Sequence, residues 1–428
     1  MTPVAPSFGE ALLVWLKVGC LGFGGPAGQI ALLHKTVVEE KGWVDEARFA
    51  NALSFCMLLP GPEAQQLTVW LGWRLHGVRG GVTAGLLFVL PGLAIMLSLS
   101  ALYVVYGRSE WAGPVLLGLK AAVVALVAQA LLRIGGRTIR DPAGLAVALA
   151  AFAVLSFTSL PFPLLILAAG ALGWVMGGGV VAPHEPQDEP GGRSGTLRTV
   201  LICLAVWLVP VTAALAIAPD SVAARMGALF SGLAVVSFGG AYAALAYLGQ
   251  AASTFGWLTP AQMLDGLGLA ETTPGPLVLV FTFVGFVGAY QAALPEWAWF
   301  AGLAGGLLAA WATFAPSFLW IFAGGPFVER LRARPRPARA LAMVSAAAVG
   351  VIAQLAAWFV THLLFRTGQT LAWGPVRMIA PDPSSLDVVA LGMTILTLGL
   401  TFALRLPVLA LVGAMMAAGL ALKLSGFG

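Results

Sequence analysis

The sequence predicts an all-α integral membrane protein of about 13 transmembrane segments, built of two homologous six-segment halves in inverted topology joined by a linker helix. Three observations support this fold class. The chain of 428 residues is 59% hydrophobic and only 10% charged, which is too little polar surface for a soluble domain of that size. Apolar stretches of about 20 residues, the length that crosses a bilayer, recur along the chain. Several short motifs occur twice, in the same order.

Composition also separates this chain from several other classes of protein. Cys20, Cys56 and Cys203 lie inside apolar stretches and show no paired spacing for a metal or a disulfide. The sequence pI of about 9.4 comes from Lys and Arg scattered through short loops, which favours membrane orientation and anion attraction over nucleic-acid binding. The segment 1–8 lacks the features of a removable signal peptide, so we expect the N-terminus to be retained.

Motifs for catalysis and for nucleotide or metal binding are missing from the sequence. The run Gly113–Lys120 places its lysine one position late for a phosphate loop and lies in an apolar stretch. The four histidines have no ligand spacing, and no Ser-His-Asp arrangement is visible. The sequence therefore predicts a protein that is not an enzyme and that needs no metal or other cofactor.

Internal repetition is the most informative feature of the sequence. The stretch 18–25 reappears as 233–240, with Phe-Gly-Gly at the end of each, and Pro60-Gly61-Pro62 returns as Pro274-Gly275-Pro276. Three further pairs keep the same order: Gly42-Trp43 with Gly256-Trp257, Ala128-Gln129 with Ala353-Gln354, and Leu160-Pro161 with Leu406-Pro407. Five matches in register indicate a duplicated membrane domain.

The repeat sets the domain boundaries. Residues 1–182 form the first membrane repeat and residues 222–428 the second, each with six apolar stretches of near-spanning length. Residues 183–221 contain a polar, proline-rich linker followed by a connecting transmembrane helix. Seven spans therefore precede the second repeat. Because this number is odd, the second repeat has the opposite orientation in the membrane to the first.

Charge placement favours a cytoplasmic N-terminus and an external C-terminus, since cytoplasmic loops are rich in Lys and Arg. The third loop of the first repeat holds only Arg108, whereas its partner in the second repeat holds five arginines between 330 and 339. An inverted repeat predicts such an exchange. The loop with Lys35, Lys41 and Arg48 favours the opposite orientation, although four acidic residues accompany it.

Glycine and proline interrupt two apolar stretches in each repeat, and paired interrupted helices mark substrate sites in transporters with inverted repeats. Half-helices that begin at such breaks present free backbone N–H groups and a partial positive charge to an anion. The plain alternative is that these residues only permit kinks and close packing, and duplication favours a binding site over it. The predicted site residues are Phe23, Gly24, Gly25, Pro26, Pro60, Gly61, Pro62, Phe238, Gly239, Gly240, Thr273, Pro274, Gly275 and Pro276.

Charged residues at membrane depth are further candidates, because each is costly in hydrocarbon. Lys17 precedes the first break and either faces a dianion or extends to the interface. Glu63 and Glu271 flank the Pro-Gly-Pro motifs and are candidates for proton coupling, with helix capping and hydroxyl contacts as the structural alternatives. Lys120 also lies within an apolar stretch, and Asp265 aligns with Asn51 near the mouth of a span.

These motifs resemble the chromate ion transporter family, whose long members carry two homologous membrane domains. The matching stretches are Gly22 to Gln29, Gly42-Trp43, Phe55 to Ala64 with Gln66, Phe238-Gly239-Gly240 and Thr273 to Pro276. Ala241 stands where the first repeat has Pro26, so the halves need not contribute equally to a site.

The resemblance implies export of chromate across the bacterial inner membrane, with sulfate as a structural analogue. Membrane potential is the expected driving force, with proton coupling as a possible addition. Uptake or exchange of sulfate or a related oxyanion is the alternative, and a membrane-embedded assembly subunit is another. The expected partners are chromate or sulfate and the lipid bilayer, without nucleic acid. The sequence leaves the oligomeric state open, a homodimer included.

Overall fold

The computed structural model describes residues 6–57, 59–158, 160–177, 196–237, 244–245, 247–248, 255–332, 335–373 and 376–426. Its helices follow the predicted apolar stretches closely. The helices from the first repeat are α1 Phe8–Leu21, α2 Gly25–His34, α3 Glu46–Cys56, α4 Glu63–Tyr106, α5 Ala112–Thr138, α6 Pro142–Phe157 and α7 Phe162–Met176. A π-helical turn, Lys35–Glu40, continues α2.

The connecting helix α8 spans Thr196–Ile217. The helices from the second repeat are α9 Val222–Val236, α10 Pro260–Thr272, α11 Val280–Ala292, α12 Ala298–Arg332, α13 Pro335–Leu364, α14 Val388–Phe402 and α15 Val408–Leu424. Short 3-10 turns lie at Leu277–Leu279, Pro295–Trp297 and Pro383–Ser385.

One described element departs from the predicted all-α fold. Strands β1 Gly368–Trp373 and β2 Val376–Pro381 pair antiparallel, with Gly368 opposite Pro381 and Trp373 opposite Val376. The sequence interpretation placed this segment in a loop between two spans. Its β-branched and aromatic residues around a Gly-Pro dipeptide are typical of a hairpin, so period-2 patterning could have found it.

Five described helices are long and apolar enough to cross a membrane, and the protein is a multi-pass membrane protein. They are Glu63–Tyr106, Ala112–Thr138, Leu197–Ile217, Pro295–Gly324 and Pro335–Leu364. Shorter apolar helices of 10–17 residues are Pro142–Phe157, Phe162–Met176, Val222–Val236, Leu277–Ala292, Val388–Phe402 and Val408–Leu424.

The chain forms two compact units, and each collects elements from both sequence repeats. The first unit comprises Met1–Ala101, Val181–Ala241 and Thr273–Arg334. The second comprises Leu102–Val180, Tyr242–Thr272 and Pro335–Gly428. The described breaks at Gly24-Gly25-Pro26, Pro60-Gly61-Pro62 and Pro274-Gly275-Pro276 therefore fall in the first unit.

Two helical hairpins dominate the first unit. Helix α4 reverses direction at His76 and Gly77, where the backbone leaves helical geometry, so an added Cβ at Gly72 would overlap the backbone of Gly80. Helices α11 and α12 form the second hairpin, in which an added Cβ at Gly285 would overlap the backbone of Gly305. Small residues permit this close approach, as is usual between membrane helices.

The second unit is held by similar backbone contacts between helices of different repeats. Gly118 of α5 lies against the backbone of Met415 in α15, and Gly350 of α13 lies against the backbone of Ala148 in α6. A larger side chain at either glycine would overlap a carbonyl oxygen. Van der Waals contact of this kind is the main source of stability between helices in lipid.

Candidate functional site

The first break separates α1 from α2. Gly24 and Gly25 adopt positive φ angles of 84° and 66°, which glycine accepts without strain. Helix α2 begins at Gly25 with Pro26 in its first turn, where the missing proline N–H costs no hydrogen bond. The predicted half-helix start at this motif is confirmed, and Phe23 lies half-buried in the break.

The second break, Pro60-Gly61-Pro62, separates α3 from α4. Gly61 has a φ of 108°, a conformation that disfavours any other residue. The side-chain amide of Gln66 donates to the carbonyl oxygen of Pro60 at 2.7 Å, which satisfies one carbonyl that the break leaves without a helical partner. Helix α4 starts directly after Pro62, at Glu63.

The Pro274-Gly275-Pro276 break repeats this geometry in the second half of the chain. Gly275 has a φ of 99°, close to that of Gly61. Pro276 precedes the 3-10 turn Leu277–Leu279 that leads into α11. Thr273 and Pro274 are buried at the entrance to the break. Gly92 of α4 makes room for it, because an added Cβ there would overlap the carbonyl oxygen of Pro274.

The two Pro-Gly-Pro motifs exchange hydrogen bonds with the opposite halves of the sequence. The N–H of Gly275 donates to the carbonyl oxygen of Gly22 at 3.0 Å, and the N–H of Gly61 donates to that of Ser237 at 3.3 Å. In the sequence repeat Gly22 aligns with Ser237, and Gly61 aligns with Gly275. Each motif therefore binds the residue that precedes Phe-Gly-Gly in the other half.

Gln29 connects two of these breaks, and the sequence analysis did not select it as a site residue. Its side chain is fully buried. Its amide nitrogen donates to the carbonyl oxygen of Gly22 at 3.3 Å and also to that of Gly275. A glutamine in an otherwise apolar helix was the available signal, because a buried amide requires partners.

The remaining predicted site residues are distributed unevenly. Lys17 is exposed on α1, Glu63 is half-buried at the start of α4, and Glu271 is buried near the end of α10. Phe238, Gly239 and Gly240 lie outside the described residues. The described hydrogen bonds at the breaks thus come from backbone and neutral side chains, with Glu63 as the acidic residue next to Pro62, while Lys17 is exposed on α1.

A buried ion pair lies in the second unit. Asp265 of α10 is 4% exposed, and one of its carboxylate oxygens lies 3.1 Å from Nζ of Lys120 on α5. The hydroxyl of Tyr103 donates to the other carboxylate oxygen at 2.8 Å. The sequence interpretation placed Asp265 at the mouth of a span and left Lys120 without a partner, because contacts between different repeats are not visible in local patterns.

Comparison with known proteins places the chain in a family. The family model described as chromate transporter matches residues 9–174 and 224–420. A chromate transport protein of Pseudomonas aeruginosa is 34% identical over 83% of this chain and 81% of its own length. A probable chromate transport protein of Synechococcus elongatus is 31% identical over 79% and 81%.

A chromate transport protein of Cupriavidus metallidurans is 29% identical over 80% of each chain. No solved structure matches the chain. The family assignment therefore rests on sequence.

Proposed function

The chain belongs to the chromate transporter family, and we propose that it carries chromate across the bacterial inner membrane. Its relatives in Pseudomonas aeruginosa and Cupriavidus metallidurans are named chromate transport proteins. These relatives are transport proteins and not enzymes, which agrees with the prediction from the sequence that this chain is not an enzyme.

The observation that supports this function best is the pair of matched Pro-Gly-Pro breaks. Gly61 and Gly275 share nearly the same backbone geometry, and helical segments begin directly after each motif. Helix N-termini inside a protein bind anions through backbone N–H groups and the helix dipole. Discontinuous helices at equivalent positions of two repeats form the substrate sites of many secondary transporters. We assign the predicted break residues, including Phe238, Gly239 and Gly240, to the oxyanion site.

An inverted repeat of about 13 spans is part of the proposal. The exchange of hydrogen bonds between Gly61 and Ser237, and between Gly275 and Gly22, is what a two-fold relation between the halves would produce. The single connecting helix α8 supplies the odd span that such an inversion needs. We retain the repeats 1–182 and 222–428 as the related halves.

Energetics favours export. Moving one charge across 100 mV involves about 2.3 kcal/mol, so a dianion gains about 4.6 kcal/mol when it leaves a cell that is negative inside. That free energy supports a gradient of more than about three decades. Efflux of chromate therefore needs no coupled ion, whereas uptake would. Glu63 and Glu271 remain the proposed positions for a proton if one is coupled.

Sulfate uptake or exchange is the second candidate function. The hydrogen-bonding groups described at the breaks are backbone and neutral side chains, and backbone N–H groups at helix N-termini recognise the negative charge that chromate and sulfate share. These groups do not distinguish strongly between chromate and sulfate. The two candidate functions therefore differ in the direction of transport and in whether an ion is coupled to it.

Flux through the purified protein in liposomes tests the proposal. We expect chromate efflux that rises with an imposed potential, negative on the chromate side, and that sulfate inhibits. Empty liposomes and liposomes with an unrelated membrane protein are the controls. Failure of the purified protein to move either anion would contradict the proposal and favour an assembly subunit. Sulfate flux that requires a proton gradient would favour the second candidate.

A further inference from the structure

The surroundings of Gly61 contain buried polar side chains from two helices. A Cβ built on Gly61 would lie 3.1 Å from the amide nitrogen of Gln66 and 3.7 Å from the hydroxyl oxygen of Ser317. Gln66 belongs to α4 and Ser317 to α12, so the break in the first repeat also receives a side chain from the second. Both side chains are at most 1% exposed.

Three side-chain atoms near this break have no hydrogen-bond partner among the described residues. They are the hydroxyl oxygen of Ser317 and the amide oxygens of Gln65 and Gln66. Thr313, one turn earlier on α12, shows the ordinary behaviour, because its hydroxyl donates to the carbonyl oxygen of Ala309 at 2.7 Å. Most buried polar atoms in proteins find a partner, but the Ser317 hydroxyl, like that of Thr282, has an unused hydrogen-bond donor that a further group can accept.

The Pro274-Gly275-Pro276 break has different neighbours. A Cβ built on Gly275 would lie 3.1 Å from a methyl group of Leu279 and 3.6 Å from the Cα of Gly92. Gln29 already donates to the carbonyl oxygen of Gly275. The two breaks share a backbone geometry, and the amide oxygen of Gln29 beside Gly275 also has no partner among the described residues. Among the atoms nearest the two glycines, an unpartnered side-chain donor, the Ser317 hydroxyl, lies only beside Gly61.

We propose that Ser317 and Gln66 bind the transported oxyanion directly through their side chains at the Pro60-Gly61-Pro62 break, whereas the break at Gly275 contributes backbone groups alone. This inference rests on the proposed function. The Ser317 hydroxyl can donate one hydrogen bond. The Gln66 amide group has a second N–H besides the one that donates to the carbonyl oxygen of Pro60. The amide oxygens of Gln65 and Gln66 accept from water molecules that accompany the anion.

Neutral donors suit a substrate that must be released again. A hydrogen bond to a charged group is stronger than one between neutral groups but far weaker than an unscreened ion pair in a dry interior. Such a site desolvates the dianion partly and holds it without a permanent counter-charge. Ser317 then sets affinity, and α12 links the second repeat to the site of the first.

The test compares two variants of α12 in the full-length protein. Ser317→Ala removes the unpartnered hydroxyl, and Thr313→Val removes a partnered hydroxyl one turn away with little change in volume. We expect the chromate concentration for half-maximal flux to rise about tenfold or more in Ser317→Ala. We expect less than about a twofold change in Thr313→Val. Ser317→Thr keeps the hydroxyl and should retain most of the affinity.

Thermal stabilisation of the purified protein by chromate gives a second readout that does not need flux. Wild type and Thr313→Val should be stabilised, and Ser317→Ala should need a correspondingly higher concentration. Unchanged half-saturation and unchanged stabilisation in Ser317→Ala would overturn the inference and assign the free hydroxyl to a buried water. If the wild type itself neither transports nor is stabilised by chromate or sulfate, the proposed function fails and this inference fails with it. If Ser317→Ala does not fold, Ser317→Cys, a weaker donor of similar size, decides by the same two measurements.

Discussion

The backbone N–H of Gly275 donates to the carbonyl oxygen of Gly22, 3.0 Å away, across most of the length of the chain. The same carbonyl accepts from the amide nitrogen of Gln29. Gly61 makes the equivalent bond to Ser237. Each Pro-Gly-Pro break is thus hydrogen-bonded to the residue before Phe-Gly-Gly in the opposite half. We expect a change in backbone geometry at Gly61 or Gly275 to displace the residue to which it is bonded.

The first prediction concerns these glycines. Alanine at Gly25, Gly61 or Gly275 must adopt φ angles of 66°, 108° or 99°, which costs about 1–3 kcal/mol for a residue with a Cβ. We expect chromate flux in liposomes to fall about tenfold or more at equal reconstituted protein, because the strain displaces the N–H groups of the break. We expect Gly240→Ala to lower flux as well, because Gly240 is the sequence equivalent of Gly25 in the second repeat.

A helical glycine in open space supplies the control for these variants. Gly136→Ala places its Cβ where nothing lies within 4 Å, so it should transport like the wild type. Normal flux in every break variant, together with loss of flux in Lys17→Ala, or in Lys120→Ala once its folding has been verified, would show that side-chain charge binds the anion and that the site is misassigned.

The second prediction concerns topology. Single cysteines at Ala182 and Arg334 in a background without Cys20, Cys56 and Cys203 should be shielded from an impermeant external thiol reagent. One at the exposed Ser384 should react. Labelling of positions 334 and 384 from the same side would rule out inverted halves.

The third prediction concerns the proton. Glu271→Gln matches the protonated acid in size and hydrogen bonding, so it should flatten the pH dependence of chromate flux without loss of folding if Glu271 carries a coupled proton. Glu63→Gln tests the other proposed position in the same assay. Glu296→Gln, in an exposed turn, is the control. An unchanged pH profile in Glu271→Gln would return that residue to a structural role.

The fourth prediction concerns the Lys120–Asp265 pair. Lys120→Met leaves a buried carboxylate without its counter-charge, which costs about 3–5 kcal/mol. The double variant Lys120→Met with Asp265→Leu removes both charges and should be much more stable than the single variant. Melting temperatures of the purified proteins measure this difference. A double variant no more stable than Lys120→Met would show that the pair does not act as a unit.

The fifth prediction concerns acid stability. Asp141 caps α6, and the backbone N–H of Gly144 together with the Arg339 guanidinium holds the pKa of its carboxyl below the ordinary value. A carboxyl whose pKa is lowered in the folded state stabilises the protein at pH values above the pKa of the same group in the unfolded chain, about 3.9. That contribution is lost as the pH falls through the folded pKa.

Asp141→Asn keeps the capping oxygen and removes the charge, so it isolates this effect. The wild type should melt at a higher temperature than Asp141→Asn near neutral pH, and the difference should shrink below about pH 4. A difference that stays constant down to the lowest accessible pH would mean that the charge of Asp141 does not contribute.

Hydropathy and local chemistry predicted much of this fold. Helices α5, α6, α13 and α15 begin and end within a few residues of the apolar stretches that the sequence shows at 112–134, 143–160, 338–365 and 406–424, because an apolar run of spanning length has few alternatives in lipid. The break at Pro60-Gly61-Pro62 was also predictable, since proline and glycine act through their own backbone. Apolar helices and Gly/Pro breaks are both determined by residues that are close together in the sequence.

The contacts that assemble the site depend on residues far apart in the chain, and the sequence analysis missed them. Gln29 and Ser317 carry no local signal beyond being polar in apolar helices, and their importance follows from the carbonyl or glycine that each meets. Lys120 was left without a partner because Asp265 lies in the other repeat. A single sequence shows which groups need a partner but not which partner they find.

The reversal of α4 at His76 and Gly77 bears on how the protein is made. The arm from Glu63 to Leu75 is about 20 Å long at 1.5 Å per residue, shorter than the hydrocarbon core of about 30 Å. It also carries the buried polar residues Gln65, Gln66 and Thr68. A segment this short and polar partitions poorly into lipid on its own when it leaves the translocon. We therefore expect this arm to enter the bilayer together with the apolar arm that follows it.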